Sequence, residues 1–170
     1  MTILVIFFFL GNLFISCLTA QSTKVNNSDF KKLTHQWKGN LQYLNYQDDE
    51  KKVTIPCTMS TKFKGRKLRV KITFDEMKEG KKMTSQSSFR ISKNKKYLLV
   101  DKEKWVISSN EKTKDRIKII ATKRGKDNNR PSDLRMTLTI EDGNAMTWRK
   151  DVKYDGTDTF FNRNQFSFNF

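Results

Sequence analysis

The 170-residue chain has one histidine, His35, and two cysteines, Cys17 and Cys57. Zinc sites draw most of their three or four protein ligands from these residue types, so the chain by itself cannot assemble such a site. A Ser–His–Asp triad would need His35 as its base, but this residue adjoins a polar stretch where an exposed histidine is the simpler interpretation. The scarcity of both residue types argues against a zinc enzyme and against nucleophilic catalysis of the triad kind.

Glycine and proline are scarce too, at seven and two residues. Gly125 stands alone in RGKDNNR, without the strand, glycine-rich loop and helix that bind phosphate. The acidic clusters at 48–50 and 75–76 fall at predicted turns, where carboxylates commonly serve local hydrogen bonding and solubility rather than paired-carboxylate catalysis. In the GKDNNRPS loop, Asp127 is one carboxylate among several cations, which disfavours calcium. We therefore predict a protein that is not an enzyme and has no metal or cofactor.

The first 20 residues carry no charged side chain and are almost entirely apolar through Leu18. Such a segment is typical of a secretory signal peptide, here cut after Ala20, and a membrane anchor is the alternative. Phe14–Cys17 come close to a bacterial lipobox, in which Cys17 would be lipidated. We expect residues 1–20 to be a signal peptide and the protein to be extracytoplasmic, either secreted or periplasmic, with lipid anchoring through Cys17 left open.

Residues 21–170 suffice for one domain with a sizeable core. Cys57 is then the only cysteine inside that domain, so no internal disulfide is expected. The stretch QSTKVNNSD, residues 21–29, is polar apart from Val25 and is predicted to be a flexible tether. The folded domain is expected over residues 30–170.

The chain has 34 Lys and Arg against 18 Asp and Glu, a formal net charge of +16 that falls wholly after residue 20. Such a charge attracts polyanions, here an anionic glycan or anionic lipid. Codon bias toward Lys, Asn, Ile and Phe is the alternative explanation. The aromatic residues fall in phase with aliphatic ones rather than interleaving with cations on a surface, so no specific nucleic acid is expected as a partner.

From Trp37 onward the apolar residues recur with a period of two, the mark of half-buried strands. The clearest case is RKLRVKITFD, where apolar residues face one side and basic residues the other. About ten such segments are joined by brief turns such as Asp142–Gly143. Before them, Phe30, Leu33 and Trp37 lie at helical spacing and predict a short helical turn that leads into the first strand. We predict an all-β fold, a single antiparallel barrel of about eight to ten strands, in preference to a sandwich because closure removes exposed edges.

Four segments, WKGNLQYLNY, KKVTIP, GKDNNRPS and FFNRNQFSF, resemble uncharacterised secreted bacterial proteins of the lipocalin-like, calycin-type kind. The resemblance extends from Trp37 to Phe168 and implies a lipocalin-like barrel. In lipocalins an arginine near the end of the barrel stacks on the first-strand tryptophan. The resemblance thus implies that Arg163 covers Trp37, a structural cation–π contact. The alternative is that Arg163 is simply exposed on the last strand.

Two functions remain open. The first is a binding protein that carries a small apolar or amphipathic ligand inside the barrel. The side chains expected to line that interior are Leu41, Tyr43, Val70, Ile72, Phe74, Met136, Leu138 and Trp148. The second is an interaction protein whose basic outer stripe, Lys67, Arg69 and Lys71, binds an anionic macromolecule or envelope component, although a solvated outer face gives the same pattern.

Overall fold

The computed structural model describes residues 23–75 and 82–170. The expected signal peptide and Cys17 lie outside the described residues. Within those two ranges, no helix combines the length and apolar character needed to cross a membrane.

The described residues form one closed barrel of ten antiparallel strands, which confirms the predicted fold class. Each strand pairs with the next along the chain, and β1 also pairs with β10 to close the ring. The strands are β1 (Gln36–Leu44), β2 (Lys52–Lys64), β3 (Lys67–Phe74), β4 (Met83–Ile91), β5 (Tyr97–Val100), β6 (Glu103–Lys112), β7 (Arg116–Asp127), β8 (Arg130–Glu141), β9 (Ala145–Tyr154) and β10 (Phe161–Asn169).

Buried and more exposed side chains alternate along the strands, and the buried ones form a core inside the barrel. In β8, every second residue from Ser132 to Ile140 is buried and the residues between them are half-buried on the outer face. Tight turns with positive φ at both central residues join several strand pairs, including Gly65–Arg66, Asn128–Asn129 and Asp142–Gly143. This backbone geometry matches the right-handed twist of the flanking strands. The Asp142–Gly143 turn was predicted, whereas the expected GKDNNRPS loop shortens to two residues because both strands continue into it.

A short 3-10 helix, Asn27–Leu33, covers one end of the barrel, and we call this the cap end. Its buried residues are Phe30 and Leu33, two of the three residues that the sequence pattern placed at helical spacing. The third, Trp37, lies in β1, where the chain is already extended. The Asn27 side chain exchanges two hydrogen bonds with the backbone of Ile91 at the end of β4, at 2.7 and 2.8 Å. We call the opposite end, which carries the loops 45–51, 128–129 and 155–160, the mouth end.

The segment before the helix differs from the predicted tether. Thr23 exchanges backbone hydrogen bonds of 2.8 and 2.6 Å with Lys112 of β6. Val25 is 0% exposed, and its N–H donates to the Asn110 side chain at 2.8 Å. Residues 23–29 therefore belong to the cap. Composition missed this because β6 supplies the hydrogen bonds and the apolar space that the segment lacks by itself.

The expected closure of the barrel by Arg163 and Trp37 is wrong. Trp37 is buried near the cap end, where its Nε1 donates to Thr61 Oγ1 at 3.1 Å. Arg163 adjoins Asn164, which pairs with Tyr43, so along β1 it lies six residues from Trp37, or roughly 20 Å at strand spacing. The alternative, an exposed Arg163, is also wrong, because this side chain is fully buried at the mouth end.

A candidate ligand site at the mouth of the barrel

An apolar cavity of about 310 Å³ opens at the mouth end of the barrel. Most of its lining side chains are aliphatic or aromatic, and they come from β1, β2, β3, β4, β10 and the 45–51 loop. They are Leu41, Tyr43, Tyr46, Ile55, Phe74, Met83, Asn164 and Phe166. An opening lined in this way suits an apolar ligand group, because binding removes the apolar surfaces of both the lining and the ligand from water.

An aromatic layer lies beneath this cavity. The ring of Phe166, which lines the cavity, stacks on Trp148 at a centroid distance of 5.2 Å. Trp148 in turn packs edge to face against Phe89 at 4.7 Å. Phe74 and Phe166, both in the cavity wall, lie 6.4 Å apart. These rings separate the cavity from the packed core and hold each other in place.

The residues predicted to line a ligand chamber divide into two groups. Leu41, Tyr43 and Phe74 do line the cavity. Four others, Val70, Ile72, Met136 and Leu138, are buried members of the hydrophobic core that fills the barrel. Trp148 stacks on Phe166 and lies between the cavity and the hydrophobic core. The space available to a ligand is therefore at the mouth, and alternation could not show this because core and cavity residues share the inner face.

A network of charged side chains borders the cavity on the inner side of β7, β9 and β10. In β10 a bulge between Asn162 and Asn164 leaves Arg163 without a pairing partner on β9. Its Nη1 lies 2.6 Å from Asp49 Oδ1, and its Nη2 donates to the Tyr154 hydroxyl at 2.6 Å. Its Nε lies 2.9 Å from Asp127 Oδ2, although that N–H is not aligned for a hydrogen bond.

Asp127 is the centre of this network. The Lys150 ammonium lies 2.8 Å from its Oδ1, and the Tyr154 hydroxyl donates to its Oδ2 at 3.2 Å. The side chains of Arg163 and Asp127 are 0% and 1% exposed, those of Lys150 and Asp49 24% and 33%. Charges so poorly hydrated persist only when they are paired.

The network also shifts the pKa values of its members. Burial by itself lowers the pKa of Arg163, but its hydrogen bond to Asp49 and the charge of Asp127 outweigh burial and raise the pKa above its ordinary value. Burial, together with the nearby charge of Asp127, raises the pKa of Tyr46 and Tyr154. The guanidinium therefore stays charged and both phenols stay protonated at neutral pH.

Cavity and network meet at two residues. The ring of Tyr46 lines the cavity, and its centroid is 4.6 Å from the guanidinium carbon of Arg163. Asn164 lines the cavity and pairs across the sheet with Lys150. An apolar opening therefore adjoins two cations, the fully buried Arg163 and the partly exposed Lys150. This arrangement suits a molecule with an apolar body and a polar end.

This network was not predicted from the sequence. Asp127 and Asp49 were expected in turns, and no role was expected for Lys150. The two-residue repeat of β9 could have indicated it. Lys150 is two residues from both Trp148 and Val152, so its side chain must point to the same inner face as theirs. A charged residue in an apolar phase indicates a buried partner, but nothing in the sequence identifies that partner.

The predicted basic stripe lies in a groove on the outer face of β2, β3 and β4. The groove has a volume of about 620 Å³, and its cations are Lys62, Lys67, Arg69 and Lys71. Among the described residues, none of these four forms an ion pair. Ser60, Gln86 and Ser88 supply polar groups between them, and Asp101 is a carboxylate in the same lining. The structure thus places all three predicted stripe residues in one groove.

The remaining candidate metal ligands and nucleophiles that the structure describes do not form a site. In residues 23–75 and 82–170, no three His, Cys, Asp or Glu side chains are grouped as metal ligands would be. His35 packs against Phe170 at the cap end, with 4.4 Å between ring centroids. Cys57 is a buried thiol on the inner face of β2 with no disulfide partner among the described residues, and burial raises its pKa to about 11. A thiol with so high a pKa is a poor nucleophile at neutral pH.

Comparison with protein families and with curated protein sequences finds no match. Among solved structures, the chain is similar to the crystal structure of Rv2717c from M. tuberculosis, with 11% sequence identity and a TM-score of 0.56. The likeness covers 86% of this chain and 98% of that chain. At such low identity, the comparison supports the barrel architecture and no more.

Proposed function

We propose that the protein is a non-enzymatic binding protein whose mouth cavity takes up a small apolar or amphipathic ligand. The observation that carries this proposal is the apolar cavity with its aromatic floor, formed by Phe166 over Trp148. Its volume of about 310 Å³ lies at the lower end of the roughly 300–1,000 Å³ common for small-molecule pockets. The ligand is therefore small, and it lies at the mouth rather than in the centre of the barrel. We extend the proposal to an extracytoplasmic protein with a cleaved signal peptide, on the strength of the apolar N-terminal sequence alone.

Filling the cavity provides the direct test. Ile55 is a half-buried wall residue, and Ile55→Trp should occupy the space without removing a core contact. Val106 is 54% exposed on the outside of β6, so Val106→Trp adds the same ring at a position where it blocks nothing. In titrations with a small aliphatic probe such as decanol, followed by tryptophan fluorescence and calorimetry, the Ile55 variant should lose binding and the Val106 variant should bind as the unmodified protein does. Binding that survives in the Ile55 variant would contradict the proposal.

Native mass spectrometry of the purified protein complements this titration. A stoichiometric mass that is released on unfolding would begin to identify the natural ligand. Trp148→Ala should weaken retention of that mass, because it removes the ring on which Phe166 stacks.

The basic groove supports a second function, the binding of an anionic macromolecule. Four cations and one carboxylate, Asp101, line this groove, so the local charge is net positive. Binding to a sulfated polysaccharide should then weaken steeply with added salt, because association releases counterions. Arg69→Glu with Lys71→Glu should abolish it. The matched control is Lys114→Glu with Lys118→Glu, which changes net charge equally on and next to β7, across the barrel. Equal loss in both double variants would mean that only the overall charge matters.

A further inference from the structure

The charges at the mouth end are balanced by a residue that is not part of the barrel wall. Arg163 of β10 and Lys150 of β9 point inward, and one strand carboxylate, Asp127, faces them both. The second carboxylate is Asp49, which belongs to the 45–51 loop and is one-third exposed to solvent. Without Asp49, the described part of the barrel wall would have one more cation than carboxylate at this site, beside an apolar cavity.

The 45–51 loop is folded mainly upon itself. The Asn45 N–H donates to the Lys51 carbonyl and the Asp49 N–H to the Asn45 carbonyl, both at 2.8 Å. The Asp48 carboxylate accepts 3.0 Å hydrogen bonds from the N–H groups of Glu50 and Lys51. A loop that satisfies its own backbone in this way can move away from the barrel as a unit, because few of its hydrogen bonds need to break.

Among the described residues, two groups of contacts hold the loop over the mouth. One is the Asp49–Arg163 ion pair, together with the Tyr46 ring on the same guanidinium. The other is a long hydrogen bond of 3.4 Å from Asn128 Nδ2 to the Tyr46 carbonyl. The loop therefore supplies both the counterion of Arg163 and part of the cavity wall, so its position and the occupancy of the cavity are coupled.

We propose that the ligand of the mouth cavity carries a carboxylate, which replaces Asp49 on Arg163 while the apolar part of the ligand lies in the cavity. This inference rests on the proposed function and specifies the ligand class. A planar guanidinium fits a carboxylate whichever molecule supplies it, and here a carboxylate already occupies the place. The exchange conserves the buried charge, and the displaced Asp49, already partly hydrated, becomes fully solvated.

The same geometry disfavours other head groups. A neutral head group cannot neutralise Arg163, so a neutral ligand must leave Asp49 in place and gains no ion pair. A cationic head group would face Arg163 and Lys150 at close range. The site should therefore select for an acid, with Asp49 acting as an internal competitor that lowers the acid's apparent affinity.

The test compares decanoate, decanol and decylamine, which share one alkyl chain, by calorimetry at neutral pH. Asp49→Asn removes the competing charge, and asparagine tolerates the positive φ of 54° at this position. Glu50→Gln is the matched control, because it neutralises the adjacent loop carboxylate, which forms no ion pair among the described residues. We expect Asp49→Asn to raise the affinity for decanoate about tenfold, to leave decanol unchanged, and to leave decylamine without measurable binding.

A second measurement uses the unmodified protein. Decanoate should shift the side-chain carboxyl carbon resonance of Asp49, and decanol should not. If decanoate and decanol bind equally in all variants, or if the Asp49 resonance stays fixed while decanoate binds, the carboxylate inference fails and the ligand cavity stands. If none of the three probes binds to any variant, the proposed function fails and the inference fails with it.

Discussion

Asp127→Asn should be among the most destabilising conservative substitutions in this barrel. The change keeps the shape of the side chain and removes the negative charge that faces Lys150 at 2.8 Å and Arg163 at 2.9 Å. Breaking a buried ion pair by removing one partner costs about 3–5 kcal/mol, because the remaining charge stays buried without compensation. Lys150 is partly exposed and can turn toward water, so we expect the cost to lie at the lower end, about 3 kcal/mol.

The free energy of unfolding, measured by urea denaturation with circular dichroism, checks this value. The control is Asp133→Asn on β8, whose carboxylate pairs with both Arg124 and Lys153 but is 45% exposed. Hydrogen bonds from Arg124 and Lys153 lower the pKa of Asp133, yet solvent screens its pairing. The control should therefore lose only a small fraction of what the buried variant loses.

A combined variant makes the reasoning more exact. Adding Lys150→Met to Asp127→Asn should recover part of the lost stability, because it removes one of the two cations that had lost their shared partner. Equal destabilisation by Asp127→Asn and Asp133→Asn would refute the assignment of Asp127 as a buried counterion. So would a combined variant whose loss is the simple sum of its parts.

Three further predictions concern the cap and the wall of the barrel. Gly39→Ala would place a methyl group 1.9 Å from the Ser167 carbonyl oxygen. This substitution should lower the free energy of unfolding in urea titrations by about 3 kcal/mol. Gly125→Ala is the control and should cost clearly less, because the atom nearest to its added methyl group would be 3.0 Å away. Val25→Ala removes two buried methyl groups and should cost about 1.5 kcal/mol in the same titrations, whereas a flexible segment would show no change. Cys57 should resist a thiol reagent at pH 8 until the protein unfolds, and rapid labelling of the folded protein would contradict its burial. Burial raises the pKa of this thiol from 9.0 to about 11. The contribution of the buried thiol to stability is therefore present below pH 9 and is lost as the pH rises toward 11.

Much of the architecture follows from local pattern. Alternation assigns each residue to a face, so the inward direction of Leu68 and Ile72 and the outward direction of Arg69 and Lys71 were predictable. Turn chemistry located the Asp142–Gly143 hairpin, since both residues adopt the positive φ that such a turn requires. The spacing of Phe30 and Leu33 indicated the short helix, because a helical turn places them on one side. Trp37, the third residue at that spacing, lies in β1 instead.

Local pattern therefore accounts for the strands, the turns, the basic outer face and the preference for a closed barrel. The position of each side chain along the barrel axis, and its contacts across the interior, are set by the folded chain as a whole. That is why Arg163 binds Asp127 and Asp49 instead of Trp37, why Val25 is buried, and why the space for a ligand lies at the mouth. The two-residue repeat of apolar and polar residues shows only whether a side chain points into or out of the barrel. The position of a side chain along the axis, and its contacts across the interior, depend on strand register and on bulges such as the one at Arg163.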